Sequence, residues 1–399
     1  MPSSSFTALW TLDPGVEFLN HGSFGAAPRA VLEAQSEWRA RLERQPLQFF
    51  RELERHLDAA RETLGAFVGA DPDDLAFVSN ATSGVNTVVR SLQLQPGDEL
   101  LTTNHAYNAC RNALRLHEPR GVRVVVAQVP FPLRSPGEVV EAVLAKATPR
   151  TRLVLLDHVT SPTGLVFPVA ELVRVLAERG VDTLVDGAHA PGMVPLDLRT
   201  LGAAYYTGNC HKWLCAPKGS AFLHVRRDRQ DGMLPLTIGH GFNSPRTDRS
   251  RFRLLFDWTG TADPTPFLCI PVALEVMGSL LPGGWPELMR GNRALALSAQ
   301  GILSEALDIA RPAPSEMIGS LAAVPLPPLA RAEVASPPSP PDPLQRALLS
   351  RHRIEVPVMP FPAPPARVLR VAAQVYNSEE QVHALAGALR ALLAETPRG

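Results

Sequence analysis

From residue 75 onward, short runs rich in Val, Leu and Ala alternate with helical stretches. The runs are LAFVSNATSG, DELLTTNHAY, VRVVVAQV, RLVLLDHVTS, DTLVDGAHA, AAYYTGN and SAFLHV; between some of them lie VNTVVRSL, NACRNALRLHEP, EVVEAVLAKAT and AELVRVLAERG. Continuous apolar runs alternating with helices predict an α/β fold, with a mostly parallel sheet covered by helices on both faces. In such sheets ligands sit beyond the carboxyl ends of the strands. Polar residues fall at those ends: Asn80 to Ser83, His105 to Asn108, Thr160 to Thr163, Asp186 to His189, and Asn209 to Lys212. Convergent polar groups at five strand ends point to one pocket.

The flanking sequence has a different texture. Residues 28–68 show apolar residues at three- and four-residue steps and read as helix. After about residue 270, VALEVMGSLL and LMRGNRALALSAQGILSEALDI are helical, and 312–343 is proline-dense, with VASPPSPPDP read as an exposed loop. RALLSRHRIEVPV, ARVLRVAAQVYN and SEEQVHALAGALRALLAE read as helix, strand and helix. A chain of 399 residues exceeds the size of one core. The expected division is an N-terminal segment (1–27), a large domain (28–270) and a smaller C-terminal α/β domain (271–399).

The 39 basic residues balance 39 acidic ones, which argues against nucleic-acid or membrane-surface binding. No apolar run reaches the ~20 residues of a membrane span, and the N-terminus lacks a secretory pattern, so a cytoplasmic location is expected. Cys110, Cys210, Cys215 and Cys269 have neither metal-ligand nor disulfide-framework spacing and read as buried small hydrophobes, and no metal is expected.

Only Lys146, Lys212 and Lys218 among the 39 basic residues are lysines. In a chain so biased towards Arg, a lysine hints at a need for an amine that can lose its proton. In YYTGNCHKWLCAPKG a strand ends and a turn presents Asn209, His211 and Lys212, while LVDGAHA puts Asp186 and His189 at another strand end. Pyridoxal phosphate needs this pair: an amine to condense with its aldehyde and a carboxylate to keep its ring nitrogen protonated. NATSGVN supplies small residues opening a helix, where free N–H groups bind phosphate.

LNHGSFGAAP, NATSGVN, NHAYNA, HVTSPTG, VDGAHAPG, GNCHKWLCAPKGSAFL, DWTGTADPTP and LRVAAQVYN together span about residues 18–380. With these motifs the chain resembles the class V aminotransferase family of fold-type I pyridoxal-phosphate enzymes, in particular its isopenicillin N epimerase-like branch. The resemblance implies a seven-stranded, mostly parallel sheet in the large domain. It implies Lys212 as the Schiff-base lysine, Asp186 as partner of the ring nitrogen, and His189 beside the cofactor or substrate. Ala81, Thr82 and Ser83 match the phosphate-binding turn, with Asn209 and His211 flanking it, and Ser161 matches a contact to the phenolic oxygen. Tyr107, with His105 as the alternative, matches the residue stacked on the ring. Thr261 resembles a residue reaching the phosphate of a neighbouring subunit, which implies a homodimer. Arg370 resembles the clamp on a substrate α-carboxylate, and Asn20 and His21 are expected to line the substrate entrance.

The shared residues imply chemistry at the α-carbon of an amino acid, with Lys212 as general base. The absence of any cysteine beyond Cys269 argues against a persulfide-forming desulfurase, whose thiol sits on a loop in the C-terminal third. Epimerisation is the leading expectation. A C–S lyase acting on a cysteine conjugate or sulfoxide is the alternative, and a cofactor-binding scaffold without turnover is the reading from another class.

Overall fold

The computed structural model describes residues 4–329 and 341–395. Seven strands form the main sheet: β1 (Leu75–Val78), β2 (Glu99–Thr103), β3 (Arg123–Ala127), β4 (Thr151–Asp157), β5 (Asp182–Asp186), β6 (Tyr205–Asn209) and β7 (Ala221–Val225), in the order β1-β7-β6-β5-β4-β2-β3. Pairing is parallel from β6 through β3, and β7 alone runs antiparallel to both its neighbours. Three of these strands, β2, β6 and β7, are buried at every position, and β4 and β5 at all positions but one each, Arg152 and Asp182, as the unbroken apolar runs predict for a sheet covered on both sides.

Before the sheet, α1 (Arg29–Arg44) and α2 (Pro46–Val68) replace the single helix expected over 28–68. Gln45 leaves helical geometry because the ring of Pro46 crowds the residue before it, while Pro46 itself suits the first turn of α2. Helix α3 (Ala81–Ser91) follows β1, and α4 (Asn108–Arg115) follows β2. Gly84 lets α3 lie directly on β6: a Cβ there would come within 2.2 Å of the Thr207 hydroxyl.

A second sheet has the order β9-β10-β8, from β8 (Leu321–Leu326), β9 (Val358–Pro360) and β10 (Arg367–Ala372), all antiparallel. Helices α5 (Gly284–Ala306) and α6 (Glu379–Glu395) pack together against it, sharing a core of Ala299, Leu303, Val324, Leu369 and Leu385. The N-terminal segment runs along β10, with the Ala372 N–H donating to Leu19. That alignment brings residues 22–24 beside Arg370. The loop expected at VASPPSPPDP lies mostly outside the described residues; its last residues, Asp342 and Pro343, cap and open a helix, Pro343–His352. Among the described residues, no helix is long and apolar enough to cross a membrane.

Candidate active site

Beyond the carboxyl ends of β1, β2, β4, β5 and β6 lies a cavity of about 520 Å³. All five polar strand ends contribute to it, through Asn80, Tyr107, Ser161, Asp186 with His189, and Asn209 with Lys212.

Lys212 sits in a tight turn. The N–H groups of Cys210 and His211 both donate to the Ser220 carbonyl, and the Cys215 N–H donates back to Lys212. The N-terminal segment crosses this turn at Gly25, whose positive φ and bare Cα allow the approach; a Cβ there would lie 2.0 Å from the His211 carbonyl oxygen. Burial lowers the Lys212 ammonium to about 7, with the nearby Arg370 charge adding to the effect and Asp186 opposing it.

The Lys212 Nζ lies 3.0 Å from His189 Nε2. On the far side of that ring, the Trp213 indole N–H donates to Nδ1 across 3.4 Å. An indole nitrogen only donates, so Nδ1 is the acceptor and a neutral His189 carries its proton on Nε2. Burial and the positive charges around it hold His189 well below the usual imidazole range. The Nε2–H therefore donates to the lone pair of an unprotonated amine, and the network favours Lys212 as the free base.

Asp186 closes β5 and is almost fully buried. It accepts from the Ala188 N–H at 3.0 Å and from the Cys110 thiol at 3.2 Å. Burial raises its carboxyl, and these donors together with Lys212 pull it back. Cys110 is thus more than a packing residue, which its place in NACRN did not signal.

At the head of α3 the N–H groups are divided. Asn80 accepts from the Ser83 N–H, and Asn209 Oδ1 accepts from the Ala81 N–H, both at 2.8 Å. The Thr82 N–H makes no hydrogen bond among the described residues and lies at the cavity. Ala81 lines the cavity with its amide already committed. Ser83 does not line it: its hydroxyl turns to Ser79 and Asn80, and it faces the neighbouring hollow. His211 does line the cavity, its Nδ1–H held by the Ser220 carbonyl at 3.0 Å; burial lowers it to about 4, so the ring is neutral.

Arg370 reaches the cavity from β10 while only 2% exposed. It donates to the Ser161 carbonyl and, at 3.2 Å, to Ser23 Oγ; its Nε has no partner and no carboxylate bonds to it. Burial alone lowers it to about 10.

The N-terminal expectation needs correction. His21 and Asn20 do not line the cavity; Gly22, Ser23 and Phe24 do. His21 is wholly buried beneath the lysine turn, 3.0 Å from the Lys212 carbonyl oxygen and 2.7 Å from the Tyr376 hydroxyl. Asn20 is occupied by Glu355 and Ser23. Tyr107 lines the cavity, half-exposed, whereas His105 is buried against Phe361 and bonded to Thr163. Thr261 is exposed and outside its own chain's cavity.

Pyridoxal 5′-phosphate suits this set. The free Thr82 N–H at a helix start awaits an anion, Lys212 offers an amine that burial makes easy to deprotonate, and Asp186 is a buried carboxylate for the ring nitrogen.

Comparison with known proteins agrees. The model of the family described as aminotransferase class-V matches residues 25–255. The chain is 39% identical to an isopenicillin N epimerase of Amycolatopsis lactamdurans, over 96% of each chain. It is 30% identical to a probable chloroplastic L-cysteine desulfhydrase of Arabidopsis thaliana, over 96% of this chain and 84% of that one. A cysteine desulfurase from Escherichia coli superimposes with a TM-score of 0.75 at 21% identity, covering 98% of both chains, and shares the fold-type I architecture. The chain belongs to the class-V aminotransferase family and is an enzyme built on pyridoxal 5′-phosphate.

Proposed function

We propose that this enzyme epimerises an amino acid at its α-carbon, in the manner of an isopenicillin N epimerase. One observation carries the reading: a buried guanidinium without a carboxylate partner, Arg370, faces the same cavity as the Lys212 amine, which burial lowers to about 7. An arginine so placed is ready for a bidentate bond to a substrate carboxylate. Ser161 and Ser23 fix its orientation.

Bound in the cavity, the cofactor supplies an electron sink for a bond broken at the α-carbon. The chain's residues do the rest. Arg370 holds the carboxylate and so fixes which α-bond meets Lys212. Lys212 Nζ takes the α-proton, leaving the C–H electron pair to the sink that the cofactor would supply. His189 orients the amine through its Nε2–H. Return of a proton to the opposite face inverts the centre. The 39% identity to an epimerase across nearly the whole chain supports this outcome.

A second reading, C–S lysis of a cysteine derivative, is favoured by the desulfhydrase relative. All four cysteines are buried and none lines the cavity, so such a lyase would work without a persulfide-forming thiol. We also propose a homodimer in which Thr261 of one copy completes the phosphate site of the other. The exposed apolar residues Leu236, Ile238 and Phe242, on the segment preceding the Thr261 loop, support it.

The test incubates the holoenzyme in D2O with isopenicillin N, and separately with cysteine and S-substituted cysteines. Deuterium at the α-carbon with inversion, read by mass spectrometry and chiral chromatography, is expected. Pyruvate with ammonia establishes the lyase instead, and neither outcome with any substrate leaves a scaffold.

A further inference from the structure

Two carboxyls end neighbouring strands at the floor of the cavity. Asp157 closes β4, Asp186 closes β5, and the two are paired in register across the parallel strands. They are 3% and 4% exposed, and both line the cavity. Like charges this close, away from water, do not ionise together; one of the pair keeps a proton.

The surroundings decide which. Asp186 receives the Ala188 N–H and the Cys110 thiol, donors that favour an anion. Asp157 Oδ2 has no hydrogen-bond partner. Burial pushes the Asp157 carboxyl well above the usual range and the Asp186 charge pushes it further; the Tyr107 backbone N–H and the Arg111 guanidinium on α4 oppose them without prevailing. Arg111 makes no ion pair with it, and its own Nε is unbonded. The Cys110 thiol, facing the pair from α4, is held protonated by burial and by Asp186. The proton therefore rests on Asp157.

We propose that Asp157 stands as a neutral carboxylic acid beside the Asp186 carboxylate, a positioning residue whose O–H donates into the cofactor cavity while the pair presents one negative charge to one pyridinium. This rests on the cofactor alone and is independent of the reaction that follows. Sequence gave no signal for it: at the end of RLVLLD the residue reads as an ordinary strand-end carboxylate.

The test is spectroscopic. In cofactor-stripped full-length protein, infrared spectra at pH 7 are expected to show a buried carboxylic-acid C=O band that shifts in D2O and is lost in Asp157→Asn. Cofactor affinity, measured by absorbance titration, is expected to stay within about threefold of wild type in Asp157→Asn, which keeps a donor of the same shape. It is expected to fall about tenfold in Asp157→Ala. No such band in the wild type, or a band surviving in Asp157→Asn, overturns the proposal. So does Asp157→Asn binding as weakly as Asp157→Ala, or Asp157→Ala binding like wild type. The wild-type spectrum alone decides the protonation state should a variant fail to fold.

Discussion

Four arginines are buried among the described residues, and they fall into two kinds. Arg61, on α2, bonds to Asp58 and Asp257; Arg253 bonds to Asp58, Asp73 and Asp257; Arg367 bonds to Asp342. Arg370, three residues further along the same strand as Arg367, meets only a carbonyl and two hydroxyls. Arg61 also leaves its Nε unbonded, so the difference lies in the carboxylates. A buried charge costs several kcal/mol unless it is paired. The first three are paired within the fold and hold it together. Arg370 carries an uncompensated cost, and that is the mark of a site waiting for its ligand.

The comparison is broken most severely at Lys212. Lys212→Met is expected to abolish turnover, by at least ~10⁴-fold in kcat, and to remove the cofactor's visible absorbance. It is also expected to stabilise the cofactor-free protein. Burial lowers the amine to about 7 in the folded protein, against the ordinary lysine value of 10.5 in the unfolded chain. Above both values neither state is charged; below both, the folded state bears the full cost of burying the ammonium. Between them the unfolded chain binds more protons, so stability rises with pH. Denaturant melts at pH 7 should place Lys212→Met above wild type by up to a few kcal/mol, the gap closing towards pH 10. A variant less stable than wild type at pH 7 contradicts the desolvated amine.

Arg370→Leu comes next. Its kcat/KM for an amino acid is expected to fall about 10³-fold, or ~4 kcal/mol, with stability unchanged or slightly raised because no charged partner is orphaned. Arg61→Leu should do the reverse. It leaves the largely buried Asp257 side chain one cationic partner short, and a loss of ~3 kcal/mol of stability is expected, with kcat/KM of the surviving folded enzyme unchanged. Similar profiles for the two variants would dissolve the distinction between paired and waiting arginines.

This contrast shows what could be read from sequence and what could not. The sheet was legible because both its faces are covered, which leaves unbroken apolar runs, and its polar strand ends mapped the cavity. Asp186 and Lys212 were legible as strand-end residues of the right chemistry. Pairing across strands was not: Asp157 and Asp186 lie 29 positions apart, and only the β4–β5 register makes them neighbours. Nor does a motif say which of its residues faces inward. LNHGSFG marks the right segment, but Gly22 to Phe24 line the cavity while His21 props the lysine turn from below. The break between α1 and α2 was available in Pro46, whose effect on Gln45 a periodicity reading passes over.

The smallest expected effect concerns Thr261, which its own chain does not bring to the cavity. Thr261 is exposed, and its loop residues Thr259 and Gly260 line the hollow that Ser79 shares with the cavity. If a second copy supplies Thr261 to the phosphate site, Thr261→Ala removes one hydrogen bond to an anion. Cofactor affinity then falls by about tenfold, or ~1.4 kcal/mol, while the melting temperature of the cofactor-free protein stays put. Mixing the variant with excess Lys212→Met separates the two roles. In a mixed dimer, a Lys212-bearing site receives its Thr261 from the Lys212→Met copy, so wild-type cofactor affinity returns to that site. A monomer by sedimentation, or affinity that mixing does not restore, means that Thr261 serves no second active site, and the exposed apolar segment before it needs another explanation.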